Sequence, residues 1–267
     1  MAGIEATGTG VSIEALQVRR CSSLEDFNAC VDLQREVWGF SDLDLVPLRV
    51  FSVASKIGGQ VLGAWDGDTM VGFSLSLPAT HRRYPYLHSH MLGVKESYRN
   101  TGLGRRIKLY QREDAIALGY DLLEWTFDPL EIKNAYFNLE RLGAIARRYN
   151  LNQYGITTSP LQGFLPTDRL VAEWWLRSKR VESLLSSGHL PGFQPEVQIN
   201  VPAEIYAWKA AEETRPKAAA VQACNREMFL DAFAEGLACL GYGRDDDGSG
   251  VFLLGHWDEE WSYANKA

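Results

Sequence analysis

The chain reads LHSHMLGV at residues 87–94, KESY at 95–98 and RNTGLG at 99–104, and it continues directly into an amphipathic helical pattern. The first segment is typical of a strand, the second of a turn and the third of a glycine-rich helix entry. Glycine lets a backbone approach a ligand closely, and the unpaired amide hydrogens of a first helical turn can converge on one anion. The pattern therefore predicts an anion-binding turn.

The helix predicted after this turn begins with an unfavourable charge. A helix start favours acidic residues because the macrodipole is positive there, yet this helix opens with Arg105 and Arg106. An anion from outside the chain would remove the conflict. Helical spacing predicts an apolar face made of Leu103, Ile107, Tyr110 and Ala117. The charged residues predicted to point elsewhere are Arg105, Lys108, Arg112 and Glu113.

Two better-known phosphate motifs do not match the turn. A Walker loop ends in Gly-Lys-Ser or Gly-Lys-Thr, whereas this turn ends in Gly-Arg-Arg. A dinucleotide fingerprint requires a third glycine, which is missing. A glycine-rich turn without any ligand remains an alternative for the hexapeptide alone.

Composition narrows the class of partner. The 267 residues carry a net charge of −7, which disfavours nucleic acid or an anionic membrane and favours a small molecule. The four cysteines form no Cys-x-x-Cys pair, so we expect reduced core thiols and no metal. Residues 1–12 resemble a disordered leader without a targeting pattern, and no apolar run reaches membrane-spanning length. The expected location is the cytoplasm.

Local signals predict alternating strands and helices before the central turn. Ser23 and Asp26 form a capping box for a helix that ends at Gly39, and Pro47 begins a second helix. An Asp-Gly turn at 66–67 predicts a hairpin. The remaining predictions are a first strand at 13–20, a second helix at 48–57, hairpin strands at 60–65 and 69–77, and a connecting loop at 81–86.

The second half of the chain continues this alternation. A nearly continuous apolar run predicts a strand at 120–127, followed by a helix at 131–142 and a strand at 145–149. Beyond residue 160 we predict a helix at 168–185, a strand within 194–202, a helix at 217–240 and a strand at 251–257. The acidic segment at 245–248 lacks the glutamate of a calcium loop and is predicted to be a solvated hairpin turn.

The motif Arg-x-x-Gly-x-Gly at 99–104, between a strand and a helix, resembles the pyrophosphate signature of the GNAT superfamily of N-acyltransferases. The order of predicted elements and the pair Asn134-Ala135 with Leu142-Gly143 also resemble this family. The resemblance implies an α/β (α+β) fold with a mixed, mostly antiparallel sheet flanked by helices. It covers a core at 13–160, and residues 161–267 are predicted to be a C-terminal α/β extension packed on that core.

Further segments resemble one subgroup of the family. These are residues 125–130, 138–139, 142–144 and 165–170, and members of the subgroup often occur beside N-acylamino acid racemases. This resemblance implies transfer of an acetyl or succinyl group from acyl-coenzyme A to the amine of a small molecule, in particular an amino acid. A non-catalytic acyl-CoA sensor or assembly module is the alternative. A homodimer is compatible with the sequence, which does not fix the oligomeric state.

The family's binding residues carry over to matching positions. The resemblance assigns Leu92 and Val94 to backbone contacts with the thioester and the pantetheine arm, and Asn134 to the arm. The residues it assigns to the pyrophosphate are Arg99, Asn100, Thr101, Gly102, Leu103, Gly104 and Arg105.

The proton carriers depart from the family pattern. The family's general acid is a tyrosine four residues before the glycine that ends its fourth helix, and Leu139 stands there. The candidates for the general acid are Tyr136, Tyr149 and Tyr154. Alternatively, the reaction uses no dedicated acid. His88 and His90 are predicted on one strand face, and His90 is the candidate base because imidazole titrates near neutrality. A structural histidine or half of a metal site is the alternative.

An amino acid acceptor requires a cation for its carboxylate. Arg169 is the candidate, and Arg147 or Arg148 is next. A surface ion pair of Arg169 with Asp168 or Glu173 is an equal alternative. Trp174, Trp175 and Trp208 suggest either an oligomer surface or the core of the C-terminal part.

Overall fold

The computed structural model describes residues 13–155 and 164–264, so the predicted leader at 1–12 lies outside the described residues. The chain divides into two compact units. Unit 1 comprises the described residues up to Ala79 together with Leu87–Gly119, and unit 2 comprises Thr80–Tyr86 and the described residues from Tyr120 onward. The predicted boundary at residue 160 falls in the undescribed segment 156–163, and the division into core and extension stays a prediction.

Unit 1 is an antiparallel sheet with three helices. Its strand order is β1-β2-β3-β4. In chain order its elements are β1 Gln17–Arg20, α1 Leu24–Trp38, α2 Leu48–Lys56, β2 Gln60–Asp66, β3 Thr69–His81, β4 Tyr84–Val94 and α3 Leu103–Ala117, except that the end of β3 and the start of β4, within Thr80–Tyr86, belong to unit 2. The predictions of α1, α2, α3 and the β2–β3 hairpin are confirmed, whereas the first strand is shorter than predicted because a 3₁₀ turn occupies Ile13–Ala15.

The start of α1 shows how local sequence sets the fold. The Ser23 hydroxyl accepts a hydrogen bond from the Asp26 amide at 3.1 Å, and Asp26 accepts from the Ser22 amide at 3.0 Å. Arg19 donates two hydrogen bonds to Asp26, at 2.8 and 2.9 Å. These contacts lower the pKa of Asp26 to about 2, with the Arg19 hydrogen bond as the largest cause.

The loop predicted at 81–86 is wrong, because β3 and β4 form a hairpin across it. Arg82 and Arg83 are the two turn residues and have φ values of 48° and 72°. Two consecutive positive φ values match the right-handed twist of a two-residue hairpin turn. The usual Asn-Gly signal is absent, so the sequence did not show the turn.

Unit 2 carries the remaining strands in the order β5-β7-β6-β9-β10-β8. In chain order its elements are β5 Leu122–Phe127, α4 Ile132–Tyr136, β6 Ile145–Asn150, β7 Arg169–Trp175, α5 Lys179–Ser187, β8 Val197–Val201, α6 Ile205–Ala210, α7 Arg215–Ala234, β9 Leu237–Arg244 and β10 Gly250–His256. The hairpin around the acidic turn at 245–248 is confirmed.

Three helix predictions in unit 2 need correction. The helix predicted at 168–185 is wrong over Arg169–Trp175, which forms β7 and pairs with both β5 and β6. The helix predicted at 217–240 ends at Ala234, since Gly236 adopts a φ of 83° before β9. The helix predicted at 131–142 changes from α to π geometry at Phe137–Arg141.

Each unit has its own core. In unit 1, α1 and α2 pack against the sheet through Phe27, Phe51 and Phe73, while α3 packs through Leu103 and Ile107. In unit 2, Trp174 and Trp175 are 0% and 1% exposed, which confirms their core placement. Three of the four cysteines are buried as free thiols, and Cys224 is exposed, contrary to expectation.

The capping box generates a pH-dependent stability prediction. We expect Asp26→Asn to lower the free energy of unfolding of unit 1 by about 1–2 kcal/mol at pH 7. The folded-state pKa of Asp26 lies below its ordinary value, so its contribution is present above pH 3.8 and is lost as the pH falls through about 2. Urea denaturation followed by circular dichroism should show the two proteins converging toward pH 2. A difference that stays constant down to pH 2 would contradict the assignment.

Candidate active site

The turn between β4 and α3, in unit 1, contains the predicted pyrophosphate residues. A 3₁₀ turn at Glu96–Tyr98 leads into Asn100 with a φ of 61° and Gly102 with a φ of 96°. The Thr101 hydroxyl donates to the Tyr98 carbonyl at 2.6 Å and holds the turn closed. A φ of 96° favours glycine, so Gly102 is required by the backbone itself.

Gly104 has a different reason to be glycine. A Cβ atom at this position would meet no atom within 4 Å, so the space above it is open. Gly102 caps α3 without a side-chain hydrogen bond, and the first turn carries no acidic residue. The first amides of a helix have no intrahelical acceptors, and the macrodipole favours an anion beside them. The residues present therefore fit a phosphate group.

Arg99 fixes the end of β4. Its Nε donates to the Val94 carbonyl at 3.2 Å, and its Nη2 donates to the Val37 carbonyl at 3.4 Å. The guanidinium thus ties β4 to the end of α1. Leu92 and Val94 pack against the buried cluster that contains Leu103 and Ile107 of α3. This contact holds the end of β4 against the start of α3.

His88 and His90 share one face of β4, as predicted, with ring centroids 6.1 Å apart. The pKa of His88 is lowered to about 4, first by burial and then by the charges of His90 and Lys108. Desolvation also lowers the pKa of His90, which is nonetheless the exposed member of the pair. Both imidazoles are therefore neutral at pH 7.

Lys108 is buried, contrary to its prediction on the polar side of α3, and is 2% exposed. It donates to Gln111 Oε1 at 2.6 Å and to Ser89 Oγ at 3.2 Å. Gln111 in turn donates to Ser76 Oγ at 2.8 Å. Burial lowers the pKa of Lys108 well below its ordinary value. This network was missed because its partners come from strands distant in sequence.

Asn134, in unit 2, lies on the exposed side of α4. Its Oδ1 accepts a hydrogen bond from Asn138 Nδ2 at 3.3 Å, and Asn138 Oδ1 accepts from Trp125 Nε1 at 3.2 Å. This series of hydrogen bonds, which starts at Trp125 on β5, orients the side-chain amide of Asn134. The adjoining π turn matters because such turns occur often at functional sites.

The candidate tyrosines of unit 2 differ in their surroundings. The Tyr149 hydroxyl donates to Asp168 Oδ2 at 3.0 Å. Burial is the largest cause that raises the pKa of Tyr149, and the Asp168 carboxylate is the next. Tyr154 is 51% exposed, and its hydroxyl lies 3.2 Å from that of Thr126. Leu139 is fully buried at the position of the family's tyrosine. Tyr154 is thus the more available donor.

Arg169 lies beside Tyr154. Its guanidinium carbon is 5.6 Å from the Tyr154 ring centroid, and Nη1 donates to the Asp168 carbonyl at 2.9 Å. Arg147 and Arg148, the other candidates for a carboxylate anchor, form ion pairs with Glu173 and Glu124. All three arginines therefore have partners within unit 2, and Arg169 differs in lying beside the exposed Tyr154.

Glu124 and Glu173 are the residues that sequence reasoning missed. They are 3% and 1% exposed and stand directly opposite each other in β5 and β7. Burial raises the pKa of Glu124 to about 7; the charge of Arg148 opposes this shift and that of Glu173 adds to it. A glutamate inside an otherwise apolar strand was the available signal.

The described residues contain neither a candidate metal site nor a candidate membrane-spanning helix. Over residues 13–155 and 164–264, no three side chains of His, Cys, Asp or Glu converge as a metal site would require. None of the helices in these segments has the length and apolar character needed to cross a membrane.

Comparisons with known proteins identify the fold. The chain matches no protein-family model and none of the curated proteins. Its structure superimposes on an N-acetyltransferase from Staphylococcus aureus with a TM-score of 0.50 and 15% identity, covering 61% of this chain and 99% of that one. The fold is GNAT-like.

Two other solved structures have TM-scores just below this value. A GNAT-family acetyltransferase from Desulfovibrio desulfuricans gives 0.48 at 16% identity, covering 61% of this chain and 99% of that one. The ribosomal-protein-S18-alanine N-acetyltransferase from Escherichia coli gives 0.49 at 13% identity, covering 61% and 95%.

The histidine pair yields a titration prediction. In nitrogen–proton NMR spectra, we expect His88 to titrate near pH 4 and His90 below its ordinary value of 6.5. Lys108→Met should raise the pKa of His88, because a positive neighbour is removed. The same protein unfolded in urea is the control, where both rings should titrate near ~6.5. A folded His90 that titrates above its unfolded value would contradict the desolvated site.

Proposed function

We propose that the protein is an acyl-CoA-dependent N-acyltransferase that transfers an acetyl or succinyl group to the amine of a small molecule. The observation that carries this proposal is the start of α3, where Gly104 faces open space and the first turn contains no acidic residue. Within a GNAT-like fold, an opening of this kind fits the pyrophosphate of coenzyme A.

Bound acyl-coenzyme A would supply an activated thioester. In the proposal the turn residues Arg99 to Arg105 hold the pyrophosphate, with Arg99 fixing the strand end. The backbones of Leu92 and Val94 orient the thioester and arm, and the Asn134 amide contacts the arm. Holding the two reactants in the correct relative position accounts for a large part of the rate acceleration that such a site provides.

The acceptor is proposed to be an amino acid. Its ammonium must lose a proton, for which the sequence offers His90, and the departing thiol needs one, for which Tyr154 is better exposed than Tyr149. The acceptor carboxylate would meet Arg169. The subgroup resemblance supports this acceptor class, and a net charge of −7 disfavours polyanionic substrates.

Gly104→Asp tests the coenzyme site and should separate binding from stability. The new carboxylate would stand against the pyrophosphate, so we expect the dissociation constant for coenzyme A to rise by about 100-fold or more. An acid in the first helical turn should meanwhile raise the free energy of unfolding by about 0.5–1 kcal/mol. Titration calorimetry and urea denaturation measure the two effects.

Gly192→Asp is the matched control, because a Cβ there also meets no atom within 4 Å. It should leave coenzyme binding unchanged. If Gly104→Asp binds coenzyme A as tightly as the parent, the site is wrong. If the parent binds acetyl- and succinyl-CoA but releases no thiol with any amino acid or amine, the non-catalytic sensor replaces the enzyme.

Arg169→Ala tests the acceptor class. We expect the Michaelis constant for an amino acid to rise about 10–100-fold, since a charge-assisted contact is lost, while the constant for its amide changes little. Arg169→Lys should restore part of the difference. Equal effects on the amino acid and its amide would remove the carboxylate anchor.

A further inference from the structure

One face of the unit 2 sheet carries a line of polar groups within an otherwise apolar surface. Side chains at alternate positions of a strand share a face, so Glu124 lies beside Thr126 on β5, and Glu173 is in line with Arg169 on β7. Successive positions on one face are about 6.6 Å apart. Thr126 contacts Tyr154, which also lies against Arg169.

The two carboxylates are held by two arginines from β6. Arg148 forms an ion pair with Glu124, and its Nε lies 3.7 Å from Glu173 Oε1. Arg147 Nε donates to Glu173 Oε2 at 3.2 Å, and Trp175 Nε1 donates to the same oxygen at 3.1 Å. Glu173 is therefore held mainly through its Oε2 oxygen.

Glu124 is the less constrained carboxylate. Its partners are Arg148 and the hydroxyl of Tyr86, which donates a hydrogen bond to it. Tyr86 is half-buried, whereas Glu124 is 3% exposed, so the Tyr86 hydroxyl is the more accessible member of the pair. The titratable and charged groups of unit 2 around Glu124 are Glu173, Arg147, Arg148, Tyr86, His81 and Tyr263.

Proton affinity separates Glu124 from the imidazoles. A proton acceptor works best when its pKa lies near the operating pH. Burial brings the pKa of Glu124 to about 7, whereas it lowers those of His88 and His90. Of these three groups, Glu124 is the strongest base at neutral pH.

We propose that Glu124, acting through the Tyr86 hydroxyl, takes the proton that the acceptor ammonium must lose before acyl transfer. The Tyr86 oxygen receives that proton as its own passes to Glu124. The freed amine then forms the C–N bond to the acyl carbon as the C–S bond breaks, and its second proton leaves with the thiol. The inference rests on the proposed acyltransferase function and deepens it.

The first test is direct titration of the free protein. With carbon-labelled glutamate, NMR should show one carboxyl group with a midpoint near pH 7, missing in Glu124→Gln. A Glu124 midpoint near the ordinary value of about 4.3 overturns the inference. No substrate is needed, so this readout is independent of the proposed function.

The second test is the pH dependence of turnover. We expect Glu124→Gln to lower kcat by about 10²–10⁴-fold and to remove the acid limb of the profile, leaving the coenzyme dissociation constant unchanged. Tyr86→Phe should lower kcat similarly, and Glu124→Asp should recover part of it. Asp26→Asn, which removes another buried, arginine-paired carboxylate, is the control and should keep the parent's kcat.

Opposite shifts separate a proton acceptor from a structural residue. Glu173→Gln removes a negative neighbour and should move the acid limb to lower pH, whereas Arg148→Gln removes a positive one and should move it to higher pH. Shifts in the same direction, or none, overturn the inference.

The remaining outcomes distinguish the two levels of the proposal. If His90→Ala abolishes the acid limb while Glu124→Gln keeps it, His90 is the base and the inference fails alone. A parent protein that transfers no acyl group overturns the proposed function and the inference together.

Discussion

The start of α3, where a glycine caps the helix and the first turn contains no acidic residue, is the feature on which the proposed chemistry depends. In two other helices, the side chain of the N-cap residue accepts a hydrogen bond from an amide of the first turn. These caps are Ser23 in α1 and Ser178 in α5. At α3 the cap is Gly102, the next residues are apolar or glycine, and two arginines follow. The sequence thus places no acidic residue in this first turn, and the proposed phosphate group would lie beside its amides.

Desolvation is the common cause of the unusual proton affinities. Removal from water penalises whichever form of a group is charged, so it lowers the pKa of His88, His90 and Lys108 and raises those of Glu124 and Tyr149. The two imidazoles are therefore neutral at physiological pH. Such an arrangement suits a reaction that moves protons between neutral partners.

Local signals were sufficient for much of the fold and for one part of the candidate site. The Ser23 capping box, the Asp-Gly hairpin and the glycine turn before α3 each depend on a few neighbouring residues. β7 was mistaken for a helix because it is apolar on both faces apart from Arg169 and Glu173 and so lacks the alternation of a half-exposed strand, and its partners β5 and β6 lie elsewhere in the sequence.

The side-chain networks depend on strand register, which no short pattern contains. Lys108 is buried only because Ser89 and Gln111 can solvate its amine. The opposition of Glu124 and Glu173 follows from how β5 aligns with β7. Neither arrangement has a signature in a short stretch of sequence, so the sequence predicted the glycine turn before α3 and missed the buried charges.

The energetics of the Glu124 cluster favour a chemical role over a structural one. Transferring carboxylates and guanidinium groups out of water costs more than their attraction commonly returns, and apolar residues of similar volume are often as stable or more so. Two like charges placed opposite each other in a sheet add to the cost. Arg147 and Trp175 offset this cost at Glu173, and Arg148 offsets it at Glu124. Burial nevertheless raises the pKa of Glu124 to about 7, which is the value that the proposed proton acceptor needs.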